Sequence, residues 1–136
     1  MNKKIIFFLT ALNIFICLDV SSDDSSINEH QREYENIAMK IWELAEVGYQ
    51  EHESSNLLID SLKDHGFLIT EGVADIPTAF IAEYGSGYPT IAILGEYDAL
   101  PGVSQSSSPY REPGKNIHAG HACGHHLFGA GSAWAA

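Results

Sequence analysis

Apolar side chains recur every three or four residues between positions 34 and 48, the spacing of one face of an α-helix. Charged side chains fill the positions between them, so the pattern predicts an amphipathic helix with one face in water. Ser26 followed by Glu29 fits a capping box at its start. The predicted buried stripe consists of Tyr34, Ile37, Ile41, Leu44, Ala45 and Gly48.

A second stretch with helical spacing follows. Ser54 or Ser55 can cap its start, and Gly66 can end it as the residue after the C-cap. Its predicted inward positions are Leu58, Ile59 and Leu62.

Three shorter apolar runs, 67–73, 78–84 and 90–95, are typical of β-strands. The third run is apolar without alternation, which predicts a strand covered on both faces inside a sheet. Helices and strands in this order predict an α/β fold.

The first 22 residues have the pattern of a secretory signal peptide. Lys3 and Lys4 precede an uncharged apolar run from Ile5 to Leu18, which is too short for a comfortable membrane span of about 20 residues. We therefore expect an exported protein with a signal peptide at 1–22, a polar lead-in at 23–33 and a catalytic domain at 34–136.

The charge of the chain excludes some partners. The 136 residues carry a net charge of −11, and removal of residues 1–22, with Asp19, Lys3 and Lys4, leaves −12. Nucleic acid and anionic membrane surfaces would repel such a chain, so we expect neither as a partner after signal cleavage.

The densest group of reactive side chains lies at 118–129, HAGHACGHHLFG. Imidazole and thiolate are ligands for a borderline divalent metal such as zinc. Alternatively, His125 could take the proton of Cys123 and create a nucleophilic thiolate. A solvated His-rich loop is the third interpretation. Once residues 1–22 are removed, Cys123 is the remaining cysteine, and an unpaired thiol outside the cell favours metal binding.

Acidic side chains follow the third predicted strand directly, at Glu96 and Asp98. Ligand sites of α/β sheets lie at the carboxyl ends of strands, so we expect these carboxylates in a site. A helix is predicted to begin near His126, with its positive end towards Cys123 and His125.

Two blocks, GEYDALPG at 95–102 and HACGHHLFG at 121–129, together resemble the dinuclear-metal aminoacylase and carboxypeptidase family, in its amidohydrolase branch. The upstream stretch IWELAEVGYQEHESS is similar to the first helix of that family and its continuation. The resemblance covers roughly residues 34–136. It implies the N-terminal part of a zinc-exopeptidase-like α/β/α sandwich with a mixed sheet.

The resemblance implies roles for individual residues. Cys123 and His125 match metal ligands, and Asp98 matches an acidic residue that orients a ligand from behind. Glu96 stands where other branches have a histidine ligand, and His121 matches the histidine that opens the ligand loop. His126 replaces the usual Asp or Asn, while His118 has no counterpart and is expected to face solvent.

The implied activity is hydrolysis of an amide bond in N-acyl or aminobenzoyl amino acids or dipeptides. It would use a divalent metal, with zinc expected and manganese or cobalt as alternatives. The family places a glutamate general base, further ligands and a dimerisation domain downstream, so we expect a homodimer at full length and an inactive N-terminal fragment here. The alternatives are a non-catalytic metal-binding fragment or scaffold, and a cysteine hydrolase.

Overall fold

The structure is a computed structural model, and it describes residues 30–136. The predicted signal peptide at 1–22 and the capping box at Ser26 and Glu29 lie outside the described residues. The first helix of the described residues begins at Gln31, so residues 31–33 of the predicted lead-in are helical.

Residues 30–136 contain three α-helices and four short strands. None of these helices is both long and apolar enough to cross a lipid bilayer. The helices are α1 (Gln31–Leu44), α2 (His52–Asp64) and α3 (His125–Ala135), and the strands are β1 (Leu68–Glu71), β2 (Phe80–Glu83), β3 (Leu100–Pro101) and β4 (Ala119–Gly120).

The predicted stripe of α1 is confirmed at its centre, where Tyr34, Ile37 and Ile41 are buried. These side chains share one face because residues three and four apart meet on a helix. The helix ends at Leu44, and the next residue, Ala45, turns the chain with a left-handed backbone and donates its N–H to the carbonyl of Ile41.

The predicted cap of α2 is wrong, whereas its predicted end is confirmed. The helix begins at His52, ahead of both serines, and the carboxylate of Glu46 accepts hydrogen bonds from the backbone N–H groups of Glu53 and Ser54. A side chain from the segment before the helix, seven and eight residues upstream, thus satisfies amides that a local cap would otherwise serve. At the other end, Gly66 adopts a left-handed backbone just beyond the helix.

Residues 30–136 form two antiparallel two-stranded sheets, β1 with β2 and β3 with β4. In the first, Leu68 faces Glu83 and Glu71 faces Phe80. The prediction of a buried strand at 90–95 is wrong within the described chain, because no strand among these residues pairs with it. Ile91 is 82% exposed and Leu94 is 72% exposed, so apolar composition alone did not bury the segment.

The main core lies between the three helices. Tyr34 stacks on Trp134 of α3 with ring centroids 6.4 Å apart, and Leu58 of α2 closes the cluster from the side. A second small core of Ala45, Ala99 and Ala119 joins the end of α1 to the first sequence block and to β4. Here the N–H of Ala99 bonds to the carbonyl of Glu46 at 2.7 Å, which fixes the residue next to Asp98.

Candidate functional site

The site is assembled where α3 lies against residues 95–98. A Cβ on Gly129 would come within 2.8 Å of the carbonyl oxygen of Glu96, so glycine permits direct contact between helix and chain. The hydroxyl of Ser132 also donates to the carbonyl of Leu94 at 2.6 Å. These contacts hold the middle of α3 against residues 94–96, next to the acidic block of Glu96 and Asp98.

Three side chains from the two sequence blocks meet at the start of α3. Nδ1 of His125 lies 2.7 Å from Oδ1 of Asp98, and Nε2 of His125 lies 3.1 Å from Oε2 of Glu96. One ligand atom from each residue falls within 4.8 Å of the others. The structure therefore brings together Glu96, Asp98 and His125, which we call the 96–98–125 cluster.

The hydrogen bond to Asp98 determines which nitrogen of His125 is available to bind a metal. A carboxylate only accepts, so Nδ1 carries the proton that it donates to Asp98. In the neutral imidazole Nε2 then has a lone pair 3.1 Å from Oε2 of Glu96, and a cation between these two acceptor atoms would relieve their repulsion. This is the arrangement in which a carboxylate orients a metal-binding histidine.

His121 and His126 lie beside the cluster without joining it. Their ring centroids are 5.0 Å apart, and Nε2 of His121 lies 3.0 Å from the carbonyl oxygen of Ile41. Burial lowers the pKa of both histidines; His125 lowers the pKa of His121 further, whereas Ile41 and Asp98 oppose that effect. The Nδ1 atoms of His121 and His126 are buried without a hydrogen-bond partner among residues 30–136.

Cys123 and His118 are placed differently. Cys123 is an exposed thiol, and it is not part of the 96–98–125 cluster. Both nitrogens of His125 face carboxylates, so the structure does not present His125 as a base for the Cys123 thiol. His118 is exposed, as expected.

An open cavity of about 180 Å³ adjoins the cluster, and the sequence did not single out Glu51 and Thr78, which line it. There Thr78 donates to Oε2 of Glu51 at 2.7 Å, and both residues are buried. Tyr97 donates its hydroxyl to the carbonyl of Thr78. Burial, with a smaller effect of Glu51, raises the pKa of Tyr97 to about 12. Glu51 belongs to the EVGYQEHESS stretch, and the resemblance of that stretch to a known family was the sequence feature that could have identified it.

Two side chains of the cluster, His125 and Glu96, offer donor atoms to one divalent cation. One imidazole nitrogen and one carboxylate oxygen 3.1 Å apart match neighbouring ligand atoms around a metal with bond lengths of about 2.0–2.2 Å. The second carboxylate occupies the other side of the imidazole ring. Nitrogen with oxygen donors suits zinc and also manganese or cobalt.

Known proteins share this region. The chain is 43% identical over 110 residues to one of the subunits of the p-aminobenzoyl-glutamate hydrolase of Escherichia coli (strain K12), covering 78% of this chain and 22% of that protein. It is 34% identical over 91 residues to thermostable carboxypeptidase 2 of Saccharolobus solfataricus, covering 65% and 22%. It is 30% identical over 95 residues to the hippurate hydrolase of Campylobacter jejuni, covering 70% and 24%.

The chain spans less than a quarter of the length of these curated relatives. No family model matches it. The similarity therefore covers only one part of each of these longer proteins.

Proposed function

Because the matched part of the chain belongs to the amidohydrolase and peptidase family of these relatives, we propose that the full-length protein hydrolyses the amide bond of N-acyl amino acids, aminobenzoyl amino acids or dipeptides. The observation that carries this proposal is the Asp98–His125–Glu96 contact. It joins the two sequence blocks into one set of metal donors. The names of two relatives, an aminobenzoyl-glutamate hydrolase and a hippurate hydrolase, support an acylated amino acid as substrate.

Each residue of the cluster has a proposed role. Nε2 of His125 and the carboxylate of Glu96 hold a divalent metal, which we take to be zinc, with manganese or cobalt as alternatives. When bound, the metal supplies Lewis-acid polarisation of the scissile carbonyl and acidifies a water. Asp98 keeps the proton on Nδ1 and thereby directs the Nε2 lone pair. Cys123 and His121 are proposed as further ligands, which would require movement of the exposed Cys123 loop.

The cavity beside the cluster is proposed to receive part of the substrate. Tyr97 is protonated at neutral pH, as an ordinary tyrosine is, and its hydroxyl donates to the carbonyl of Thr78. The buried Glu51 adds a fixed negative charge to this wall. A glutamate general base from outside residues 1–136 is proposed to carry the proton in the reaction.

The remaining expectations are also proposals for the full-length protein. They are a zinc-exopeptidase-like α/β/α sandwich with a mixed sheet, export through a signal peptide and assembly as a homodimer. The exposed Ile91 and Leu94 support a larger sheet, since further structure would cover them.

The proposal is tested on the full-length protein freed of metal. Cleavage of p-aminobenzoyl-glutamate, hippurate and a dipeptide is measured before and after addition of zinc, manganese or cobalt. We expect metal to restore turnover, His125→Gln to abolish it, and His118→Gln, which changes an exposed histidine, to leave it intact. Turnover that a chelator does not affect would contradict the metal mechanism.

A second candidate function is metal binding without catalysis by the 136-residue chain. The 96–98–125 cluster favours it, because those donors come together within residues 30–136. Bound zinc without turnover in this chain, and loss of that zinc in His125→Gln, would support the second candidate. Amide hydrolysis by the 136-residue chain would exclude it.

A further inference from the structure

A second group of metal-binding side chains lies away from the candidate site, between the start of α1 and the end of α2. His30 precedes α1, Glu33 lies in its first turn, and His65 follows the last residue of α2. One ligand atom from each lies within 4.8 Å of the other two. We call it the 30–33–65 cluster, and it plays no part in the proposed hydrolysis.

Hydrogen bonds behind the cluster orient its ligand atoms. Nδ1 of His65 lies 2.8 Å from the carbonyl oxygen of Ser61, which only accepts, so Nδ1 carries the proton. Nε2 of a neutral His65 therefore has a lone pair. The hydroxyl of Ser61 donates to Oε1 of Glu33 at 2.6 Å, and the other carboxylate oxygen, Oε2, faces the two histidines.

The distances between the three candidate ligand atoms match those around a single metal ion. Nε2 of His65 is 3.4 Å from Nδ1 of His30, and Oε2 of Glu33 is 3.7 Å from the first atom and 3.8 Å from the second. Ligands at about 2.1 Å from a tetrahedral zinc are about 3.4 Å apart. A proton on Nδ1 of His30 could form a hydrogen bond to one of the other two atoms, whereas a cation could bind all three atoms.

We propose that His30, Glu33 and His65 bind a zinc ion that links α1 to α2. Two imidazoles and one carboxylate form a donor set that zinc uses in proteins, and the fourth position is left to water. The side chains are 29–40% exposed, which lets a hydrated ion enter. The net charge of −11 also raises the local cation concentration.

The bound ion would connect the start of α1 to the end of α2. His65 is 35 residues from His30 in sequence, and each stands at a helix end. Zinc can contact the ligands of α1 and α2 together in the folded chain and not in the unfolded chain. Its binding therefore stabilises the folded state. This stabilisation does not depend on the hydrolysis proposed for the 96–98–125 cluster.

Zinc binding is measured by equilibrium dialysis of the metal-stripped chain of 136 residues. We expect His65→Gln and Glu33→Gln each to lose one zinc equivalent relative to the unchanged chain. His118→Gln and His52→Gln, which change exposed histidines elsewhere, should retain it. His125→Gln should remove a different equivalent, so that the double variant His65→Gln, His125→Gln loses both.

Ser61→Ala tests the orientation of Glu33 while it keeps every ligand. We expect zinc affinity of the 30–33–65 cluster to fall about 10- to 100-fold, as for other residues behind metal ligands. Equal zinc binding by His65→Gln and His118→Gln would overturn the proposal.

A measurement on the unchanged chain avoids the risk that a variant fails to fold. Diethyl pyrocarbonate modifies accessible imidazoles, and mass spectrometry assigns the modified residue. We expect zinc to protect His30 and His65 and to leave His52 and His118 reactive. Equal modification of His65 with and without zinc would refute the site.

Discussion

Nδ1 of His125 donates to the carboxylate of Asp98 across 2.7 Å, joining residues that are 27 positions apart in the chain. This contact connects the acidic block that follows residues 90–95 with the histidine that begins α3. It also leaves Nε2 of His125, 3.1 Å from Oε2 of Glu96, as the nitrogen that we propose binds the metal. The geometry of the candidate site therefore depends on a contact that neither block makes alone.

Asp98→Ala is expected to weaken zinc binding at the 96–98–125 cluster by about 10- to 100-fold, because Nδ1 of His125 loses its orienting partner. The measurement is a competition titration with a chelating dye in the His65→Gln background, which removes the second cluster. Asp60→Ala, which changes an exposed carboxylate on α2, is the matched control. Equal affinities of the two variants would contradict the role of Asp98.

Gly129→Ala should disturb both stability and the site. The new Cβ would lie 2.8 Å from the carbonyl oxygen of Glu96 and 3.2 Å from Cβ of Tyr97, so α3 must move away from the acidic block. We expect a loss of about 1–3 kcal/mol in the free energy of unfolding, as for other overpacked positions. Zinc affinity should fall as well.

Gly131→Ala is the control for this change, because a Cβ there meets nothing within 4 Å. Alanine favours the helix over glycine by about 1 kcal/mol, so this variant should be neutral or more stable. Denaturant unfolding of both variants provides the comparison. A Gly129→Ala protein as stable as Gly131→Ala would show that the close approach is not required.

Glu46→Ala should destabilise the start of α2. The carboxylate accepts from the N–H of Glu53 and from both the N–H and the hydroxyl of Ser54, which is completely buried. Its removal leaves these donors without that partner, at a cost of about 1–3 kcal/mol in the free energy of unfolding.

Glu43→Ala is the matched control on the same part of the chain. Its carboxylate lies 3.6 Å from Nζ of Lys115 in an exposed pair. Such a pair contributes below about 1 kcal/mol. Chemical denaturation should therefore separate the two variants, and equal midpoints would exclude Glu46 as the cap of α2.

The hydroxyl of Tyr97 should lose its proton at a higher pH than the hydroxyl of an exposed tyrosine. Burial, followed by the charge of Glu51, raises the pKa of Tyr97 from 10.0 to about 12. The folded state therefore keeps this proton where the unfolded state has lost it. The stabilisation that Tyr97 contributes is fully present below pH 10 and is lost as pH rises through about 12.

Ultraviolet absorbance of the phenolate measures this titration. Tyr97→Phe should lack a step near pH 12, whereas Tyr88→Phe, which changes a fully exposed tyrosine, should retain it. The same high-pH step in Tyr97→Phe would assign it to another tyrosine.

The sequence by itself determined the local features of this protein. Helical spacing identified the buried faces around Ile41 and Leu58, and Gly66 marked the end of α2, because these depend on neighbours within one or two turns. The two blocks that resemble a hydrolase family also pointed to Asp98 and His125. Their relation to known hydrolases is confirmed by the relatives of the chain.

Only the tertiary structure decided which side chains from different segments meet. It placed Glu46 at the start of α2 and Glu96 with His125, left Cys123 exposed outside the cluster, and joined His30 to His65. It also left residues 90–95 exposed, since an apolar run becomes a buried strand only when other strands pair with it. Periodicity reports on neighbours in sequence, whereas caps, metal donors and sheet partners are set by packing between segments.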